Sequence, residues 1–188
     1  MSNTVTNVTA GKPVVTGAIW RAPLSASPTI PTDATTSLSA DYKCMGYVSD
    51  DGVTNSNSPS VEEIKAWGGD TVLTTQTEKP DTFQFTLIEA LNLDVLAAVY
   101  GSGNVTGALA TGVTVTATAE EPEEAGWVIE QVLRGGILKR IVIPDAKISD
   151  IGDITYTDDE AVGYDITLTA MPVSGATHKE YLIEDSSS

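Results

Sequence analysis

Positions 82–88 alternate in polarity. Phe83, Phe85 and Leu87 fall on one side and Gln84 and Thr86 on the other, the period of a strand with one buried face. The same period runs through residues 163–170, with Tyr164, Ile166, Leu168 and Ala170 inward and Asp165, Thr167 and Thr169 outward. In between, the period changes. Leu87, Ala90, Leu91, Val95, Ala98 and Val99 recur at three- and four-residue intervals, which predicts a helix over residues 90–100 with Gly101 as its stop. Its apolar face must cover a sheet.

Further strands are expected over residues 14–22, 46–49, 71–78, 113–119, 126–134 and 137–143, the last stopped at Pro144. Residues 61–67 alternate weakly and end at the turn Gly68-Gly69-Asp70. Lys79-Pro80-Asp81 separates 71–78 from 82–88, so these two read as a hairpin. Gly135-Gly136 is the tight turn of another. Residues 147–156, broken by Gly152, read as a bulged strand. The sum is about eight short strands and one helix: a mainly β (α+β) chain, folded as an antiparallel sandwich or open barrel with a flanking helix.

The domain is expected over residues 14–172. Residues 1–13 form a polar N-terminal arm and 173–188 a C-terminal tail. Residues 23–45 hold Pro23, Pro28 and Pro31 with few apolar positions. So long a loop is expected to order against a neighbouring subunit.

The net charge of −16 argues against binding a phosphate backbone, which needs Lys and Arg to displace counterions. Glu120, Glu121, Glu123 and Glu124 form the densest acidic cluster and are expected in a solvated loop. Cys44 is the one cysteine, so no intrachain disulfide forms. The first residues lack the basic and apolar regions of a secretion signal, and no apolar run reaches membrane-spanning length. Folding in a cytoplasm, with no membrane partner, is expected.

Candidate chemistry is sparse. His178 is the sole histidine, set in a polar segment and expected to be an ordinary surface residue. Neither Ser174 nor Cys44 has nucleophile-elbow or thiol-protease context. One Cys and one His are too few for zinc. Asp50-Asp51 and Asp158-Asp159-Glu160 lack the spacing of a calcium loop. Gly101-Ser102-Gly103 follows a helix rather than a strand, the wrong context for a dinucleotide loop. No enzyme activity and no cofactor are expected. Trp20, Trp67 and Trp127 are expected in core or interface packing.

Two stretches together carry a family resemblance. One begins Gly46-Tyr47-Val48-Ser49-Asp50-Asp51-Gly52-Val53, continues at Ile64-Lys65-Ala66-Trp67-Gly68-Gly69-Asp70 and Phe83-Gln84-Phe85-Thr86-Leu87-Ile88-Glu89, and ends at Val99-Tyr100-Gly101. The other joins Ile143-Pro144-Asp145-Ala146-Lys147 to Gly163-Tyr164-Asp165-Ile166-Thr167-Leu168-Thr169-Ala170. Over residues 14–180 the chain resembles the major tail (tail tube) protein of long, flexible-tailed bacteriophages. The resemblance implies a structural virion protein that forms hexameric rings stacked into a hollow tube. Inner strands join into a continuous barrel, and arms, loop and tail make ring-to-ring contacts. Its implied partners are further copies of itself, the tail-tip initiator, the tape-measure and the tail-terminator proteins. Double-stranded DNA passes through an acidic bore without specific binding. The implied location is the phage tail, after assembly in the host cytoplasm. On this reading Gln84, Thr86, Asp165, Thr167 and Thr169 are candidate lumen-facing residues, because a bore wall needs a polar, non-basic face. The rival from another class is a secreted Ig-like adhesin module, since Thr-rich acidic sandwiches serve there too.

Overall fold

The computed structural model describes residues 3–184. The first two residues of the expected arm and the last four of the expected tail lie outside the described residues. In chain order the elements are β1 (Gly11–Pro13), β2 (Ile19–Pro23), β3 (Lys43–Cys44), β4 (Thr54–Ser56), β5 (Ser60–Lys65), β6 (Thr71–Glu78) and β7 (Thr82–Leu87). Then come α1 (Leu93–Tyr100), β8 (Val105–Ala108), β9 (Gly112–Val115), β10 (Ala125–Leu133), β11 (Ile137–Ile151), β12 (Tyr164–Ala170) and β13 (Lys179–Glu184).

Nine strands form one antiparallel sheet in the order β3-β2-β10-β11-β12-β7-β4, with β1 beside β10 and β13 beside β11. The sheet folds over on itself. Phe85 of β7 meets the Trp127 ring of β10 at 5.9 Å, and the two halves enclose the main core together with Val95, Leu96, Ala98 and Val99 of α1. The result is the antiparallel sandwich with one helix that the periodicity predicts, open rather than closed into a barrel. Asn92 starts α1 by accepting a hydrogen bond from the Asp94 amide, so the helix begins later than residue 90 and leaves Leu91 exposed.

Residues 125–129 are buried without interruption, because both faces of β10 are covered. Trp127 and Ile129 face the main core. Val128 and Val142 face a second cluster with Ala22 and Tyr42, flanked by Trp20, Leu38 and Tyr181. The long loop therefore packs on its own sheet. Arg140, 4 % exposed, fastens it: Nη1 donates to the carbonyls of Asp33 (2.9 Å) and Thr36 (2.8 Å), while Nε donates to Glu130 across the ladder at 2.9 Å. Asp33 turns the loop by accepting from the amides of Thr35 and Thr36. With the Thr36 hydroxyl donating as well, its pKa falls to about 2.

Several expectations are corrected. Pro144 does not end a strand: β11 runs through it to Ile151. Ala125 pairs with Ala146 and Trp127 with Ile143, so Pro144 and Asp145 bulge opposite Gly126, where a proline is tolerated. There the outer partner of β11 changes from β13 to β12, and a ladder donor is not required. The strand expected over residues 147–156 is the end of β11: its bulge lies between Ile148 and Asp150 rather than at Gly152, and it stops at Ile151.

β6 and β7 are not a hairpin. β6 pairs with β5, whereas β7 pairs with β12 and β4. Phe83, Phe85 and Leu87 give β7 a core-facing stripe; β6 is exposed throughout and cannot follow it inside. Residues 46–49 contribute only an isolated bridge, Val48 to Leu87. The first expected strand starts at Ile19, because residues 14–17 form a turn. Gly17 sits there at φ +137°, and a Cβ would meet the Cys44 sulfur at 2.5 Å. Residues 11–13 at the end of the arm pair with β10 as β1, and the tail contributes β13 to β11.

Candidate functional site

One half of the sandwich presents a broad polar face. Along β7 and β12 the outward positions are the five expected from alternation. Thr86 lies opposite Asp165, and Gln84 opposite Thr167; Thr169 pairs with Thr82. The Gln84 amide donates to both Asp165 carboxylate oxygens, at 3.3 and 3.1 Å. Neighbouring strands widen the face. Thr54 and Ser56 of β4 sit beside Gln84 and Thr82, and Lys147 and Asp150 of β11 beside Thr169 and Thr167. Thr169 donates to the Ser149 hydroxyl at 2.8 Å. These neighbours escape a reading by periodicity, since they join the face only through register with distant strands.

The face is neutral-polar rather than densely acidic. Asp150 and Asp165 are its described acids and Lys147 its described cation. Lys147 is held by Glu121, whose carboxyl pKa is lowered by that hydrogen bond and charge. The acidic loop is thus exposed but engaged: Glu123 accepts from the Ser102 hydroxyl and pairs with Arg21.

The strands of this layer alternate in direction, β4 against β7 against β12 against β11. Its margins are open. β4 has no outer partner in the sheet order, and pairing of β11 with β10 ends at Ala146, leaving residues 147–151 with a bare edge.

From β4 the chain enters the β5–β6 hairpin. Every residue from 58 to 80 is exposed. Ile64 lies opposite Leu73 on the ladder, and Val61, Ile64, Val72 and Leu73 are each at least half exposed. Trp67 at the tip is fully exposed, in contrast to Trp127 in the core. A two-stranded hairpin on its own is marginal in water, and this one shows apolar side chains that no other described residue covers.

His178 is not the surface residue expected. Its Nδ1 lies 2.5 Å from Asp81, and its ring packs edge-on against Phe83. Asp81 is 1 % exposed and also accepts from Asn55 and Thr177. Burial works against its charge, but the hydrogen bonds from Thr177, Asn55 and His178 outweigh it and hold its pKa below the usual value. This cluster ties β4, the start of β7 and the segment before β13 together. Among the described residues no group of three or more His, Cys, Asp or Glu could hold a metal, and no helix is long and apolar enough to cross a membrane.

An uncovered hairpin, a bare polar layer with open margins and an Asp–His pair that serves to join strands describe a subunit shaped for assembly. No individual curated protein matches the sequence. The sequence pattern of one family, described as phage tail tube protein, matches residues 3–188. That family replaces the adhesin module as the reading of the fold. The chain belongs to the phage tail tube protein family and is a structural component of a phage tail.

Proposed function

We propose that six copies of this chain close into a ring by joining their β4-β7-β12-β11 layers edge to edge, and that the rings stack into a tube through which DNA passes. The observation that carries this reading is the pair of open margins on a layer whose outer face is bare and polar. Because four strands alternate in direction, β4 of one copy set beside residues 147–151 of the next continues the antiparallel pattern. Such a head-to-tail contact repeats by rotation, and a ring buries every edge.

In this arrangement Gln84, Thr86, Asp165, Thr167 and Thr169 face the bore. Hydroxyls, an amide and a few carboxylates offer phosphates no cationic anchor, and Glu121 neutralises Lys147. DNA slides past such a wall rather than sticking to it. The tail-tip, tape-measure and terminator proteins are the further partners this role requires. Assembly takes place in the host cytoplasm.

Electron microscopy of concentrated full-length protein, with and without a tail-tip initiator, tests the reading. Six-fold rings or tubes are expected. Protein that stays monomeric under both conditions, or rings whose margins are not β4 and β11, contradicts it.

A further inference from the structure

We propose that the segment leading into β13 latches the β4 margin: Thr177 and His178 hold the Asp81 carboxylate, and Asp81 holds Asn55 of β4 in place for pairing with the next copy. The inference rests on the ring reading above and deepens it by naming what positions one of its two edges. β4 cannot hold itself. Its three residues are exposed throughout, and none belongs to either core cluster. Among the described residues its backbone is paired on one side only, to residues 82–84 of β7. A strand with no buried apolar side chain sits at the low-stability end of a fold. Its side-chain tether is Asn55, which donates to Asp81 Oδ1 at 2.8 Å and to the Thr82 carbonyl at 3.0 Å. The Thr82 hydroxyl adds a longer bond to the Ser56 carbonyl, at 3.5 Å.

The other carboxylate oxygen belongs to the tail. Oδ2 accepts from the Thr177 hydroxyl at 2.6 Å and lies 2.5 Å from His178 Nδ1. No described hydrogen bond joins residues 54–56 directly to residues 177–178, so Asp81 is the link between them. The next residue, Lys179, opens β13 opposite Val142 of β11, so docking of β13 delivers both donors. The His178 ring also packs edge-on against Phe83, with 5.2 Å between centroids, and Phe83 lies opposite Asn55 on the ladder. At 1 % exposure a carboxylate needs donors on both oxygens. Stripped of Thr177 and His178 it turns toward water, and Asn55 loses its anchor. Thr177 and His178 are therefore positioning residues that act on the margin through Asp81.

The test reads the bridge and the margin separately, in full-length protein. Below the assembly threshold, heteronuclear NMR follows the Asn55 side-chain amide, assigned by its absence in Asn55→Leu. Thr177→Val is expected to shift that amide toward the position of a free one, and Thr177→Ser to leave it in place. Thr177→Val is also expected to raise the concentration needed for assembly by about tenfold, and Thr177→Ser to restore it to within about twofold. The double variant Asn55→Leu/Thr177→Val should be no worse than the more severe single one, because both act through one carboxylate. Should Thr177→Val fail to fold, His178→Phe is read in the same way, since it keeps a ring against Phe83 and removes the donor. An Asn55 amide that ignores the loss of either donor overturns the latch. So does a shifted amide in protein that assembles at the wild-type threshold, and so do additive effects in the double variant. Wild-type protein that never assembles overturns the ring reading and, with it, the role of the latch at the margin; the Asn55 shift then still decides whether the bridge itself exists.

Discussion

The β10–β11 ladder and the β5–β6 hairpin are both antiparallel pairs closed by glycine-containing turns, yet their surroundings are opposite. The first is buried on both faces, by the main core on one side and by Tyr42 and Leu38 of the long loop on the other. The second has no buried residue. Burial of apolar area is what stabilises a ladder beyond its own hydrogen bonds, so the first pair is complete within one molecule and the second is not. Ile64, Leu73 and Trp67 stay uncovered by the described residues, the opposite of the packing around Trp127.

The largest effects should separate the two regions. Trp127→Ala empties the core and should cost the monomer about 3–5 kcal/mol, read by chemical denaturation. Ile64→Ser/Leu73→Ser should leave that stability within about 0.5 kcal/mol yet abolish assembly. If the hairpin variant melts the monomer instead, the hairpin packs on its own body and the contrast collapses.

Next comes the loop clamp. Arg140→Met strands Glu130 and two loop carbonyls and should cost about 2–4 kcal/mol. Limited proteolysis should then cut within residues 27–40 while sparing β10. A loop equally resistant in the variant would show that Tyr42 and Leu38 alone hold it.

Asp81→Asn should cost about 1–3 kcal/mol near neutral pH and should also change the pH profile. The folded pKa of Asp81 is depressed, so its contribution is fully present above the ordinary aspartate value. It fades as pH falls through the lower folded value, from about pH 4 downward. Removing the carboxylate should flatten that acid limb in denaturation curves. An unaltered limb would assign the acid sensitivity to Asp33 and Glu123, whose carboxyls are also held low.

How much of this was legible in the sequence follows from whether the signal is local. The period-two stripes of β7 and β12 record burial on one side, so both faces of that layer could be read directly, down to Gln84 and Asp165. The four-residue spacing of Val95 and Val99 likewise revealed α1. What escaped depends on partners far along the chain. Pro144 reads as a terminator until the bulge opposite Gly126 shows that no donor is required there. β13 is a short, half-charged segment that becomes a strand only because residues 137–142 have a free side. His178 looks solitary until Asp81 is brought to it, and β6 was paired with the wrong neighbour because proximity in sequence does not set register.

The smallest expected effect concerns the polar layer. Gln84→Lys should change monomer stability by less than about 0.5 kcal/mol and leave tube formation intact, while slowing DNA passage in an ejection assay. Loss of folding would mean that this face is not free in the monomer.

Amide hydrogen exchange, compared between monomer and assembled particles, tests the central claim most directly. Residues 54–56, the hairpin at 60–78 and the β11 edge at 147–151 should exchange quickly in the monomer and become strongly protected on assembly, while β10 is slow in both. Equal protection of those three segments in monomer and assembly would contradict the account.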